Sequence, residues 1–150
     1  MSKKRKGYDL ISLVICTACI AVLITILIPK SDETITSGKQ KSDIVQINSL
    51  AVAVRQYKSE MGDYPTSLNV LASKNGDFGP WIAKLPTKDA WGTTNSGING
   101  TGGISPYCYA YTADGFAIWS LGKNKINNSG GGGTTLPTAF KSDDNGVFLK

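Results

Sequence analysis

The chain contains no histidine in 150 residues. That absence removes the usual general base, the commonest metal ligand and every Ser–His or Cys–His nucleophile pair. Cysteine is scarce as well. Cys16 and Cys19 sit inside an apolar run, and Cys108 lies far away among tyrosines, which is no disulfide framework. Cys16-x-x-Cys19 has redox or zinc spacing, but no neighbouring charge would lower a thiol pKa and no polar partners surround it. It reads as two small apolar residues of a helix, and Cys108 as a buried free thiol. A phosphate-cradling loop is missing too, because Ser129 and the four glycines after it lack the Lys-Ser/Thr that such a loop needs. No nucleophile elbow is present, and no carboxylates pair in an apolar setting, so no enzyme is expected. Nor is there a basic body. Of the net charge of +5, Lys3, Lys4, Arg5 and Lys6 supply four units, and from Tyr8 onward the charges nearly balance. Direct nucleic-acid binding, which needs a clustered basic face, is therefore not expected.

What is present begins with an apolar stretch. Residues 10–28 carry no charge, and as a helix at ~1.5 Å per residue they span about 28 Å, the thickness of a bilayer's hydrocarbon core. The basic cluster before it predicts a cytoplasmic N-terminus and an exported remainder. A cleaved secretory signal would have a shorter apolar core and a small-residue cut site, and none stands between Ile28 and Pro29-Lys30. A plain signal anchor stays open on hydropathy alone.

The start of this stretch, Lys3-Lys4-Arg5-Lys6-Gly7 followed by Tyr8-Asp9-Leu10-Ile11, resembles the type III signal of the type IV pilin and type II secretion pseudopilin superfamily. The resemblance implies that residues 1–7 are a leader and that a prepilin peptidase cuts after Gly7 and methylates Tyr8. It also implies a helix-softening proline twenty-two residues into the mature chain, which is the place of Pro29. One position departs from the family. Its fifth mature residue is normally a glutamate that neutralises the N-terminal amine of a neighbouring subunit, and here that residue is Ser12. A carboxylate kept in a membrane is costly, so its usual presence is functional. Three explanations stay open: a minor subunit at a filament tip, a divergent major subunit, or Asp9 taking over the electrostatic role.

Beyond Pro29 a polar stretch gives way to an apolar stripe. Ile44, Ile47, Leu50/Ala51, Val54, Tyr57 and Met61 recur at helical spacing. One long helix over residues 10–61 is expected, loosened at Pro29 and Gly38, with Ser42 or Asp43 as caps of a fresh start. Gly62-Asp63-Tyr64-Pro65 should end it, because the residue before proline is pushed out of helical geometry. A short helix is expected over 67–73. Strands at 107–113 and 116–121 flank Asp114-Gly115, a type I′ hairpin signal. The face holding Cys108, Ala110, Ala117, Trp119 and Leu121, rich in small residues, is expected to pack on the long helix. Two Gly/Asn-rich stretches, 93–103 and 127–135, read as flexible loops.

Three segments resemble the major pseudopilin of type II secretion in order and spacing. They are the helix end from Tyr57 through Gly62, Tyr64 and Pro65; Gly79-Pro80-Trp81 running to Leu85-Pro86; and Asp89-Ala90-Trp91-Gly92, where the family pattern has proline in place of Ala90. The fold this implies is α+β: a long N-terminal helix, transmembrane then amphipathic, packed on a small antiparallel sheet. Residues 1–7 are then the leader, 8–29 the transmembrane and filament-core helix, and 30–150 a periplasmic or extracellular head. The resemblance further implies a calcium ion after Ser120-Leu121-Gly122, with Leu121, Asn124, Asp143 and Asp144 as ligands. Lys123 and Lys125 oppose a cation there, and a metal-free turn is the other reading. The implied role is structural, in a filament of a secretion, pilus or DNA-uptake system. Its partners would be further copies, other pilin-like subunits, the peptidase, an inner-membrane assembly platform and lipid. A minor tip subunit, or a permanently anchored pilin-like binding protein, is the alternative.

Overall fold

The computed structural model describes residues 6–27 and 31–149. In chain order these form α1 (Lys6–Leu27), α2 (Ser31–Met61), a 3₁₀ helix (Leu68–Ala72), β1 (Cys108–Tyr111), β2 (Phe116–Ser120) and β3 (Asn145–Leu149). The chain divides into two compact units, Met1–Ser37 and Gly38–Lys150. The expected single helix over 10–61 includes residues 28–30, which lie outside the described residues, as do most of the basic leader and Pro29.

In the first unit, α1 is apolar around its whole circumference where its side chains are described, at residues 10–24. Leu10, Leu13, Val14 and Leu23 are all about three-fifths exposed. Within it the Thr17 hydroxyl donates to the Val14 carbonyl at 2.9 Å. This keeps a polar group off the apolar surface. Among the described residues no helix is long and apolar enough to cross a membrane.

In the second unit, the buried face of α2 carries Asp43, Ile47, Leu50, Ala51 and Val54, at the four-and-three spacing of a helix stripe. The expected stripe thus begins one residue early. Ile44 is 38 % exposed, and Asp43 takes the inward place. Gly38 does not break α2, nor do Ser42 and Asp43 cap a new helix. The end is as expected: Gly62 has φ +89° and donates its N–H to the Lys58 carbonyl at 2.9 Å, a left-handed helix stop that glycine adopts without Cβ strain. The short helix at 67–73 is a 3₁₀ turn that buries Leu68 and Leu71. Trp81 then returns the chain to α2, with its indole N–H on Glu60 Oε2 at 2.7 Å and its ring edge-on to Tyr57.

The sheet is antiparallel in the order β1-β2-β3, with Tyr109 opposite Ile118 and Ile118 opposite Val147. The face on the helix is the opposite of the one expected. Tyr107, Tyr109, Phe116 and Ile118 share a core with Ile47, Leu50, Ala51, Ala53 and Val54. The small residues that permit close approach belong to the helix, so the sheet can present its aromatic rings. Cys108, Ala110, Ala117, Trp119 and Leu121 form a second core under Ile98, Leu136 and Phe140. The hairpin also differs. Neither Asp114 nor Gly115 has positive φ, which a type I′ turn would require at both places. Thr112 instead donates its N–H to the Gly115 carbonyl, leaving Ala113 and Asp114 at the tip.

The Gly/Asn-rich stretches are seated along the outer edge of β1. Tyr109 donates to the Ile98 carbonyl and Tyr111 to the Gly133 carbonyl, at 2.9 and 3.0 Å. Gly100 must be glycine: its φ is +57°, and a Cβ would overlap the Thr66 carbonyl. The edge amides of β1 give these loops the partners that their own composition does not provide.

Candidate metal centre and the buried carboxylates

Two groups of polar side chains are built into the head. The first lies where the segment after β2 meets the segment before β3. Gly122, at φ +65°, rests against the backbone and carboxyl carbon of Asp143, and a Cβ there would collide with both. That contact sets Asn124 beside Asp143, whose Oδ2 accepts the Asn124 N–H at 2.7 Å. Asp143 Oδ1 takes only longer bonds, from Ser142 Oγ at 3.2 Å and Asn128 Nδ2 at 3.4 Å. Burial pushes the Asp143 carboxyl up, but hydrogen bonds to its ionised form, led by that of Asn124, outweigh burial and hold it below the usual carboxylate value. Asp144 is 7 % exposed. Its Oδ2 accepts the Ser129 N–H at 2.7 Å and the Ser129 hydroxyl at 2.6 Å, while its Oδ1 is buried with no partner among the described residues. The two described non-glycine residues with left-handed backbone, Lys125 and Ser142, directly follow Asn124 and precede Asp143. Backbone strain of that kind concentrates where geometry is imposed by a site.

Of the sequence-derived ligand residues, Asn124 and Asp143 are joined directly; Asp144 is held by Ser129 instead, and Leu121 packs in the second core. Ser129, which clasps Asp144, was hidden in a glycine-rich stretch with no pattern to mark it. The donors are all oxygens, the chemistry of a hard cation, and Asp144 Oδ1 is an orphaned acceptor of the kind such an ion satisfies. Among the described residues, however, no three or more His, Cys, Asp or Glu side chains gather to hold a metal. Neutral oxygens would have to complete any shell.

The second group joins α2 to the 89–93 turn and to the sheet. Asp43, with no exposed surface, accepts at Oδ1 the Ala90 N–H at 2.9 Å and the Tyr107 hydroxyl at 3.0 Å, while its Oδ2 has no partner among the described residues. Asp89 ties up its own turn, accepting the Trp91 and Thr93 N–H groups at 2.9 and 2.6 Å, and its Oδ2 accepts from Ser120 Oγ. Ser120 Oγ in turn receives the Gly122 N–H, which links this network to the first group. Burial, then the neighbouring Asp43 charge, pushes the Tyr107 phenol far above its ordinary value, so it remains a donor. The sequence signal for Asp43 was a polar residue in register with an apolar stripe.

Of the residues expected to serve processing and assembly, Gly7, Tyr8 and Asp9 fall in the first turns of α1, where only the backbone is described. Ser12 is exposed on α1, and Pro29 is outside the described residues.

One helix laid across a three-stranded antiparallel sheet, its edge wrapped by long loops, is the pilin-like class of α+β head. Residues 32–136 match the family model described as type II secretion system (T2SS), protein G. The chain belongs to that family, whose members are pseudopilin-type structural components of a secretion system rather than enzymes. Family membership associates the chain with other pilin-like subunits of that system. The match stops short of Gly7–Pro29 at one end and of Asp143 and Asp144 at the other. No curated protein matches the chain.

Proposed function

We propose that the chain is a structural subunit of a type II secretion pseudopilus or a related type IV pilus-like filament. A prepilin peptidase removes residues 1–7 after Gly7, and Tyr8 becomes the methylated N-terminus. The helix over 8–29 is stored in the inner membrane with the N-terminus cytoplasmic. During assembly on an inner-membrane platform it exchanges lipid for the same helix of neighbouring copies, and the heads form the outer wall. The observation that carries this reading is the pairing of a protein G head with an apolar α1 whose Leu10, Leu13, Val14 and Leu23 are unburied within the chain. Such a surface needs lipid or other helices to cover it. Intact mass and N-terminal sequence of the membrane-extracted protein, made with and without the peptidase, test the proposal. A chain starting at Tyr8 with an added methyl group supports it. A chain starting at Met1 or Ser2 in both samples overturns it and leaves a pilin-like binding head on a permanent anchor.

Ser12 favours a second reading, a minor subunit at the filament tip, because it cannot form the ion pair of the usual glutamate. If Ser12→Glu leaves assembly unchanged, the reason for that reading disappears.

We further propose that Asp143, Asp144, the Leu121 carbonyl and Asn124 hold a calcium ion, which would bind the end of β2 to the start of β3. The unpartnered Asp144 Oδ1 supports this. Calcium that binds only the folded head raises its melting midpoint by mass action. Equal midpoints at millimolar calcium and in chelator would refute the site.

A further inference from the structure

We propose that the cavity between the end of α2 and the β1–β2 turn is a binding site for a neutral saccharide. It has a volume of about 640 Å³, within the ~300–1,000 Å³ of small-molecule sites. Lys58, Asp63, Tyr64, Thr66, Tyr111 and Thr134 line it. Tyr111 is half-buried and lies nearly parallel to the fully buried Tyr109, at 5.7 Å and 17°. One face of the Tyr111 ring is therefore braced by the core, which makes a fixed platform at the cavity wall. The hydroxyls of Tyr64, Thr66, Tyr111 and Thr134 make no hydrogen bond among the described residues, so several donor–acceptor groups converge on one space. Lys58 is held over the Tyr64 ring at 3.8 Å rather than paired with Asp63. One ammonium and one carboxylate leave the cavity without a bias toward charged ligands.

Each feature selects the same chemistry. A flat aromatic face accepts the C–H face of a pyranose ring. Free hydroxyls, an ammonium donor and a carboxylate acceptor match the equatorial hydroxyls around that ring. An acyl chain would offer these groups no partner. The walls come from the helix stop at Gly62 and the hairpin turn, both tied by backbone bonds, so the site is formed before a ligand arrives. The inference is independent of whether the chain assembles into a filament.

The test uses the full chain in a detergent without sugar headgroups, with chitotriose, cellotriose and, as a control, triglycine. Ligand-observed saturation-transfer NMR reads binding. Transfer to ring protons of at least one trisaccharide is expected, weakened about tenfold by Tyr111→Ala and less by Tyr111→Phe, which keeps the ring and loses one hydroxyl. Thr134→Val, an exposed change at the rim, should weaken it less and serves if Tyr111→Ala fails to fold. The proposal is overturned by no transfer to either sugar, by transfer to triglycine alone, or by sugar binding unaltered in both Tyr111→Ala and Thr134→Val.

Discussion

Ala90→Pro would restore the proline that the type II secretion pattern has at this place, and it should nevertheless destabilise this chain. The Ala90 N–H is one of two donors to Asp43 Oδ1, at 2.9 Å, and proline has no N–H to give. A hydrogen bond to a charged group contributes about 1.5–3 kcal/mol. Nothing replaces it, because Asp43 has no exposed surface and its Oδ2 already lacks a partner among the described residues. Against this stands the stiffening of the unfolded chain by proline, about 0.4–1 kcal/mol. The net loss is about 0.5–2.6 kcal/mol, which at roughly 2–4 °C per kcal/mol lowers the melting midpoint by about 1–10 °C. Near-UV circular dichroism of the full chain in detergent follows the tryptophans through the transition. Ala90→Gly, which keeps the N–H, controls for the change of side chain. The decisive measurement is the same proline in an Asp43→Leu background, where no carboxylate waits for the bond. There the loss should vanish, giving a coupling energy of about 2 kcal/mol. Equal losses in both backgrounds, or a proline variant as stable as the parent, would refute the assignment of Ala90 and Asp43 as a coupled pair.

Further outcomes follow from the same contacts. Gly122→Ala places a methyl group against the Asp143 backbone at a φ of +65° and should cost more than about 2 kcal/mol; an unchanged urea midpoint would contradict this. The Asp143 carboxyl titrates below its unfolded value because hydrogen bonds outweigh burial, so its stabilisation is present above about pH 4 and lost as pH falls through the folded value. Asp143→Asn should therefore flatten the acid limb of the stability profile, and an unaltered slope would argue otherwise. Burial pushes the Cys108 thiol up to about 12; iodoacetamide at pH 8.5 should alkylate it only in urea, as peptide masses would report. Tyr107→Phe removes the hydroxyl bonded to Asp43 and should lower stability by about 1–2 kcal/mol in a chemical melt.

The sequence carried the helix stripe at Ile47, Leu50 and Val54, the stop at Gly62, the strands on either side of residues 112–115 and the pairing of Asn124 with Asp143. These follow from periodicity, from left-handed glycine and from a family pattern, all of which are local. Alternation along β1 and β2 separated the two faces of the sheet correctly, yet it could not say which face meets the helix. That choice belongs to volume. Ala51 and Ala53 leave room on the helix for Tyr107, Tyr109 and Phe116, and complementarity between distant segments is invisible in either one alone. The glycine run at 130–133 is likewise positioned by the edge amides of β1, not by its own composition. The buried carboxylates make the same point in energetic terms. Asp43 read as a possible helix cap and Asp89 as part of a family pattern, because a carboxylate in a chain does not disclose whether it will be solvated. Only packing removes water from Asp43 and supplies the Ala90 amide and the Tyr107 hydroxyl in its place. The sequence by itself determined α2, its stop at Gly62, the first two strands and the family resemblance. The tertiary structure decided which side chains are desolvated together, since desolvation depends on everything that surrounds a group in space.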